Sequence, residues 1–102
     1  MMTESDLVDF LILRELEESI TEEELQAVDE RSTACRWELD DEGINVRAVE
    51  SEVLVDEDGN VTGTHCHYKA ESEEAVREHA KRAELPISRI DRPGQPLGGD
   101  FD

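Results

Sequence analysis

The feature that most limits the fold is a short apolar run near the start of the chain, Phe10-Leu11-Ile12-Leu13, inside residues 7–16. A continuous run of this length, without a three- or four-residue period, is typical of a strand that is covered on both faces. Such a strand lies at the centre of a sheet, so the rest of the chain must supply its neighbouring strands and its cover. We therefore predict a central strand over residues 7–16.

Hydrophobic periodicity divides the remaining sequence into two helices and three further strands. After Thr21, which can form a capping box with Glu24, a semi-apolar stripe at positions 25, 28, 32, 35 and 39 predicts the first helix. Residues 46–55 and 61–70 alternate as two strands, joined by a hairpin over residues 56–60 that contains Asp-Gly. Ser72 can cap a second helix that Pro86 ends, and residues 87–90 form a short last strand.

This order of elements, strand, helix, strand, strand, helix, strand, is that of the ferredoxin-like α+β fold. Its crossovers place two helices on one face of an antiparallel sheet. We expect a single domain over residues 1–90 and a flexible, acidic, Pro- and Gly-rich tail over residues 91–102. Only four aromatic residues are available to shield the other face of the sheet, so we expect a homodimer through that open face.

Charge limits the partners that the chain can have. The 28 acidic and 10 basic residues give a net charge of −18, spread along the whole sequence. Molar salt shortens the Debye length to about 3 Å and relieves the self-repulsion, so we expect adaptation to high salt. Nucleic acid and anionic membranes require a basic surface and are not expected partners. No apolar run approaches the roughly 20 residues of a membrane span, and residues 1–6 do not resemble a secretory leader, so we expect a cytoplasmic protein.

All three histidines fall within residues 65–79, and two of them share a strand face. Strand alternation puts His65 and His67 on one side and Cys66 and Tyr68 on the other. From this spacing both imidazoles can reach one divalent ion, and imidazole suits nickel, zinc and copper. Two exposed histidines, or half of a dimer contact, would give the same pattern.

A second group of side chains is predicted between the sheet and the helices. Cys66 and Tyr68 from the third strand, His79 from the second helix and Cys35 from the first can meet there. A histidine on an apolar helix face is more often a core residue bonded to a neighbour, here the Tyr68 hydroxyl, than a ligand. If solvent reaches the group, Cys66 beside an imidazole becomes a candidate soft metal ligand or reactive thiolate. Both cysteines are expected to be free thiols.

Several short motifs also point to a known family. They are Arg14-Glu15-Leu16, Cys66-x-Tyr68-x-Ala70, Glu73-Glu74-Ala75-Val76-Arg77-Glu78-His79-Ala80, Leu85-Pro86 and Ile90. In this order they resemble a family of small, mostly uncharacterised ferredoxin-like proteins, some of them dimeric nickel-binding proteins. The resemblance implies a dimer whose sheets pack against each other, and divalent metal binding in nickel sequestration.

Two functions follow as hypotheses. The first is a small non-catalytic protein that buffers or carries nickel or another divalent transition metal, with candidate ligands His65, His67, Cys66 and His79. The alternative is a small dimeric α/β-barrel enzyme that performs a cofactor-free oxidation or isomerisation in the sheet–helix pocket, with Tyr68, His79 and Cys66 as working groups. The sequence contains no glycine-rich phosphate loop, no nucleophile elbow and no Cys-x-x-Cys pair, so no reaction is specified.

Overall fold

A computed structural model of the chain describes residue 3 and residues 6–98. The elements are β1 (Val8–Ile20), α1 (Glu22–Asp41), β2 (Val46–Val55), β3 (Val61–Ala70), α2 (Glu73–Ala83) and β4 (Arg89–Asp91). The four strands form one antiparallel sheet in the order β2-β3-β1-β4. The predicted ferredoxin-like α+β fold is therefore confirmed.

The apolar run lies in a central strand, as predicted. β1 pairs with β3 on one side, where Ile12 faces Cys66, and with β4 on the other, where Ile12 faces Ile90. β1 extends to Ile20, beyond the predicted end, because its pairing with β3 resumes there after a register shift. β4 begins two residues later than predicted, although the Ser88 amide just before it already donates to the Leu13 carbonyl of β1.

Side chains cap both helices at the predicted residues. The Thr21 hydroxyl accepts from the Glu24 amide at 3.1 Å, and the Glu24 carboxylate accepts from the Thr21 amide at 3.0 Å. Ser72 accepts from the Ala75 amide at 3.1 Å and begins α2. Each cap satisfies a backbone amide that has no partner within its own helix.

The core lies between the two helices and one face of the sheet. Its largest members include Phe10, Ile12, Leu39, Tyr68 and Val76. The two helices contribute unequally to this core. α2 buries an almost continuous face, whereas α1 buries only two of its side chains fully. The N-terminal half of α1 consequently packs less closely against the sheet and leaves a cavity there.

The chain after β4 has no helix or strand over residues 92–98. The remainder of the predicted tail, residues 99–102, lies outside the described residues, so its flexibility stays a prediction. Within residue 3 and residues 6–98, no helix is both long enough and apolar enough to cross a membrane. Cys35 and Cys66 are free thiols, as predicted.

Candidate functional site

The predicted alternation of β3 is present, and it divides the candidate ligands between two faces. Cys66 faces the helices and is only 5% exposed, while His65 and His67 lie on the open face and are partly exposed. His79 of α2 is completely buried on the helix side of the sheet. The structure thus keeps the two open-face histidines together and separates them from Cys66 and His79.

The strand register supplies carboxylates to the open-face histidines. His67 Nε2 lies 2.8 Å from Asp9 Oδ1. A register shift in β2 after Ala48 places Glu50 opposite His67, and Glu52 lies opposite His65. Directly paired residues of antiparallel strands project their side chains from the same face. The histidines and these acidic residues therefore share one surface, which we call the open-face cluster: Asp9, Glu50, Glu52, His65 and His67.

The donor set of this cluster fits a divalent transition metal in its chemistry. Imidazole nitrogen and carboxylate oxygen are ligands that nickel and zinc accept. A carboxylate bonded to one ring nitrogen orients the imidazole and leaves the other nitrogen free to coordinate. Across the part of the chain that the structure describes, however, no three His, Cys, Asp or Glu side chains are close enough to hold an ion by themselves. The described residues of one copy of the chain therefore hold at most part of a metal site.

On the helix side, His79 is held by Ser32 of α1. His79 Nε2 donates to the Ser32 carbonyl at 3.0 Å, which places the ring proton on Nε2 because a carbonyl only accepts. The expected hydrogen bond to the Tyr68 hydroxyl is wrong, because Ser32 Oγ stands between them, 3.3 Å from His79 Nε2 and 3.5 Å from Tyr68 Oη. The two rings still touch, with centroids 5.6 Å apart.

The surroundings keep His79 neutral. Burial lowers its pKa from 6.5 to about 4, and the positive charges of Arg36 and Arg14 act in the same direction. The hydrogen bond to the Ser32 carbonyl opposes these effects only in part. At neutral pH the ring is therefore an uncharged core group. This agrees with the structural interpretation of a histidine on an apolar helix face.

Sequence reasoning assigned no contact in this interior to three residues that the structure places there: Ser32, Arg14 and Arg36. Arg36 Nη1 donates to Ser32 Oγ at 2.8 Å and to the Tyr68 hydroxyl at 3.4 Å. Arg14 is only 2% exposed and lies over the Tyr68 ring, 5.6 Å from its centroid. The parity of β1 could have located Arg14, since it alternates in phase with Phe10.

A cavity of about 320 Å³ adjoins this group, between α1 and the sheet. Arg14, Cys66 and Tyr68 line it from the sheet, and Ser32 lines it from α1. His79 lies outside its wall, behind Ser32. The chain therefore carries two distinct chemical environments, an imidazole–carboxylate surface and a guanidinium-bearing cavity, on opposite faces of one sheet.

Comparison with known proteins bears on the imidazole–carboxylate surface. A family model described as nickel responsive protein SCO4226-like matches residues 10–92, which span the sheet and both helices. The chain belongs to this family. The SCO4226-like match confirms the resemblance drawn from the motifs of β1, β3 and α2. No curated protein and no solved structure matches the chain.

Proposed function

We propose that this SCO4226-like protein binds nickel, or a similar divalent transition metal, through the open-face cluster, and that it buffers or carries the ion. The observation that supports this most directly is the 2.8 Å contact between His67 Nε2 and Asp9 Oδ1 on the face that also presents His65. The family is described as nickel responsive, which is compatible with metal handling.

The chemistry assigns a role to each type of side chain in the cluster. His65 and His67 are the proposed nitrogen ligands, and bound nickel would act as cargo. Asp9 orients the His67 ring, as carboxylates do beside ligating imidazoles. Glu50 and Glu52 are placed to add oxygen ligands. Cys66 and His79 are not part of this site, since both are buried on the other face.

We also propose a homodimer through the open face, which would complete the partial site. Leu11 and Leu13 lie beside the histidines on this face and are partly exposed. A second copy packed sheet against sheet would cover these leucines. A two-fold axis that passes close to these histidines would also bring a second pair of imidazoles to the first. Four imidazole rings, each able to supply one nitrogen ligand, would then be available where one chain offers two.

Isothermal titration with nickel and zinc chloride at molar KCl tests the site. We expect the His65→Ala/His67→Ala double variant to bind nickel at least about tenfold more weakly than the wild type, the loss of about 1.4 kcal/mol or more. His79→Gln is the matched control, because it removes an imidazole from the opposite face, and it should bind as the wild type does. Equal affinity of the wild type and the double variant would rule out the proposed ligands. Size-exclusion chromatography with and without nickel tests the dimer separately.

The alternative enzyme hypothesis retains one supporting observation, the cavity lined by Cys66 and Tyr68. His79, the expected base, lies outside the cavity wall, and its one ring proton is held by the Ser32 carbonyl. A molecule in the cavity would meet a thiol and a phenol without an imidazole to take a proton. This arrangement favours binding over catalysis.

A further inference from the structure

We propose that the outward face of α1 docks a basic segment of a partner protein, with Trp37 as the apolar anchor and a positively charged side chain of the partner stacked on its ring. This surface, which we call the Trp37 groove, includes Asp29, Glu30, Ala34, Trp37, Glu38 and Asp41. It lies on a helix and not on the open face of the sheet. The proposal therefore goes beyond metal binding and does not depend on it.

The first argument is the exposure of Trp37, the only tryptophan of the chain. Trp37 is 73% exposed. It follows Ser32 by five positions and precedes Leu39 by two, so the helical repeat puts it on the side of α1 opposite these two buried residues. Tryptophan is a large apolar surface when buried, and it is enriched among the residues that dominate the binding energy of protein interfaces. An indole left exposed on a helix therefore has the chemistry of an interface anchor.

The second argument is the charge around the indole, which selects the kind of partner. Four carboxylates line the groove: Asp29, Glu30, Glu38 and Asp41. Within residue 3 and residues 6–98, Glu38 alone of these four forms an ion pair, with Arg82. The other three negative charges are uncompensated. They repel a second copy of the same surface and attract a basic partner.

The third argument is that the face of the indole is available to a cation. The two basic residues of α1 are held by other groups. Arg31 Nε donates to the Ala83 carbonyl at 2.6 Å, and Arg36 Nη2 donates to Thr33 Oγ1 at 3.1 Å at the border of the groove. Among the cation–π contacts of the described residues, none involves Trp37. Tryptophan is the best aromatic partner for guanidinium or ammonium, so a partner's arginine or lysine fits this position.

The test uses acetyl-tetraarginine amide as the basic segment, and the same peptide with citrulline, the neutral isostere of arginine, as its control. Binding is measured by nuclear magnetic resonance titration with chelator present, at the lowest KCl concentration that keeps the protein folded. We expect the arginine peptide to bind about tenfold more tightly than the citrulline peptide, with the largest shifts in residues 29–41. Equal affinities, or shifts spread evenly over the protein surface, would overturn the proposal.

Trp37→Ala tests the anchor without disturbing the core, because the side chain is exposed. This variant should bind the arginine peptide about fivefold more weakly than the wild type, through loss of the stacked ring. The matched control is Val49→Ala, which removes an exposed apolar side chain from β2 and should bind as the wild type does. An unchanged affinity of Trp37→Ala would show that the indole is no anchor.

A pair of charge variants separates the groove from diffuse attraction to a chain of net charge −18. Glu30→Gln/Asp41→Asn removes two carboxylates beside Trp37, and Glu18→Gln/Glu57→Gln removes two exposed carboxylates elsewhere. We expect the first double variant to lose about fivefold in affinity for the arginine peptide and the second about twofold or less. Equal losses would mean that no particular surface is recognised.

Two further measurements exclude other occupants of the Trp37 groove. Spermine carries the same charge as the arginine peptide but no peptide backbone, and it should bind more weakly. If spermine binds as tightly, the groove belongs to small polyamines and a protein partner is wrong. Size-exclusion chromatography should give the same oligomeric state for the wild type and Trp37→Ala. A larger assembly that this variant abolishes would mean that the occupant is a second copy of the chain.

Discussion

The buried ring of His79 makes folding stability depend on pH in a predictable direction. Burial and the charges of Arg36 on α1 and Arg14 on β1 lower its pKa from 6.5 to about 4, while Tyr68 on β3 contributes ring contact and no charge. The unfolded chain regains the ordinary pKa, so between pH 4 and pH 6.5 it binds more protons than the folded chain. The contribution of the neutral His79 ring to the free energy of unfolding is therefore fully present above pH 6.5, and it is lost as the pH falls toward 4.

The size of the effect follows from these two pKa values. One pKa unit corresponds to about 1.36 kcal/mol, so the complete transition is worth roughly 3 kcal/mol. Asp and Glu side chains titrate mainly below about pH 5, so the range from about pH 7.5 to 5.5 separates His79 from them. As the pH falls through that range, protonation of this histidine in the unfolded chain should reduce the free energy of unfolding by about 1.3 kcal/mol.

The assay is urea unfolding of the wild type and His79→Gln at several pH values between 7.5 and 5.5, at constant KCl and with chelator. Gln retains an N–H donor for the Ser32 carbonyl and does not titrate. His65 and His67 are present in both proteins, so their contributions cancel in the difference. The advantage of the wild type over the variant should shrink by about 1.3 kcal/mol across this range. A difference that stays constant would refute a buried neutral His79.

Three further predictions test the scaffold. Gly63→Ala should destabilise the fold by about 3 kcal/mol in thermal melts, since the added Cβ would lie 2.3 Å from the Arg14 carbonyl oxygen. Gly94→Ala is the control and should be neutral, because no atom lies within 4 Å of its added Cβ. Thr21→Ala should cost about 1 kcal/mol in urea unfolding through loss of the capping box, and an unchanged midpoint would contradict this. Arg82→Ala should lower the melting temperature, more in dilute salt than in molar KCl, because Arg82 of α2 pairs at 2.6–2.9 Å with Glu38 of α1, with Glu42 at the C-cap of α1 and with Glu78. Equal losses at both salt concentrations would argue against an electrostatic role.

Much of the candidate metal surface was predictable from the sequence, and its acidic partners were not. The two-residue period of β3 correctly placed His65 and His67 on one face. Asp9 could not be assigned to His67 because that contact depends on the register between β1 and β3, which joins residues 58 positions apart. Glu50 depends on an irregularity in β2 that strand alternation does not reveal.

The contacts of the protein interior were likewise predictable only in part. Amphipathic spacing predicted that His79 faces the core, but it named the Tyr68 hydroxyl as partner, whereas the packing of α1 against α2 inserts Ser32 between them. Arg14 follows the parity of its strand into the core, a position that its charge made easy to overlook.

Local pattern alone determined the order of the elements, both helix caps, the hairpin and the two faces of β3. These features depend on residues a few positions apart, whose spacing along the backbone fixes their geometry. The tertiary structure decided the pairing of Asp9 with His67, the enclosure of His79 by Ser32, and the cavity beside Arg14. Such features depend on strand register and on the distance between packed elements, which no short segment contains.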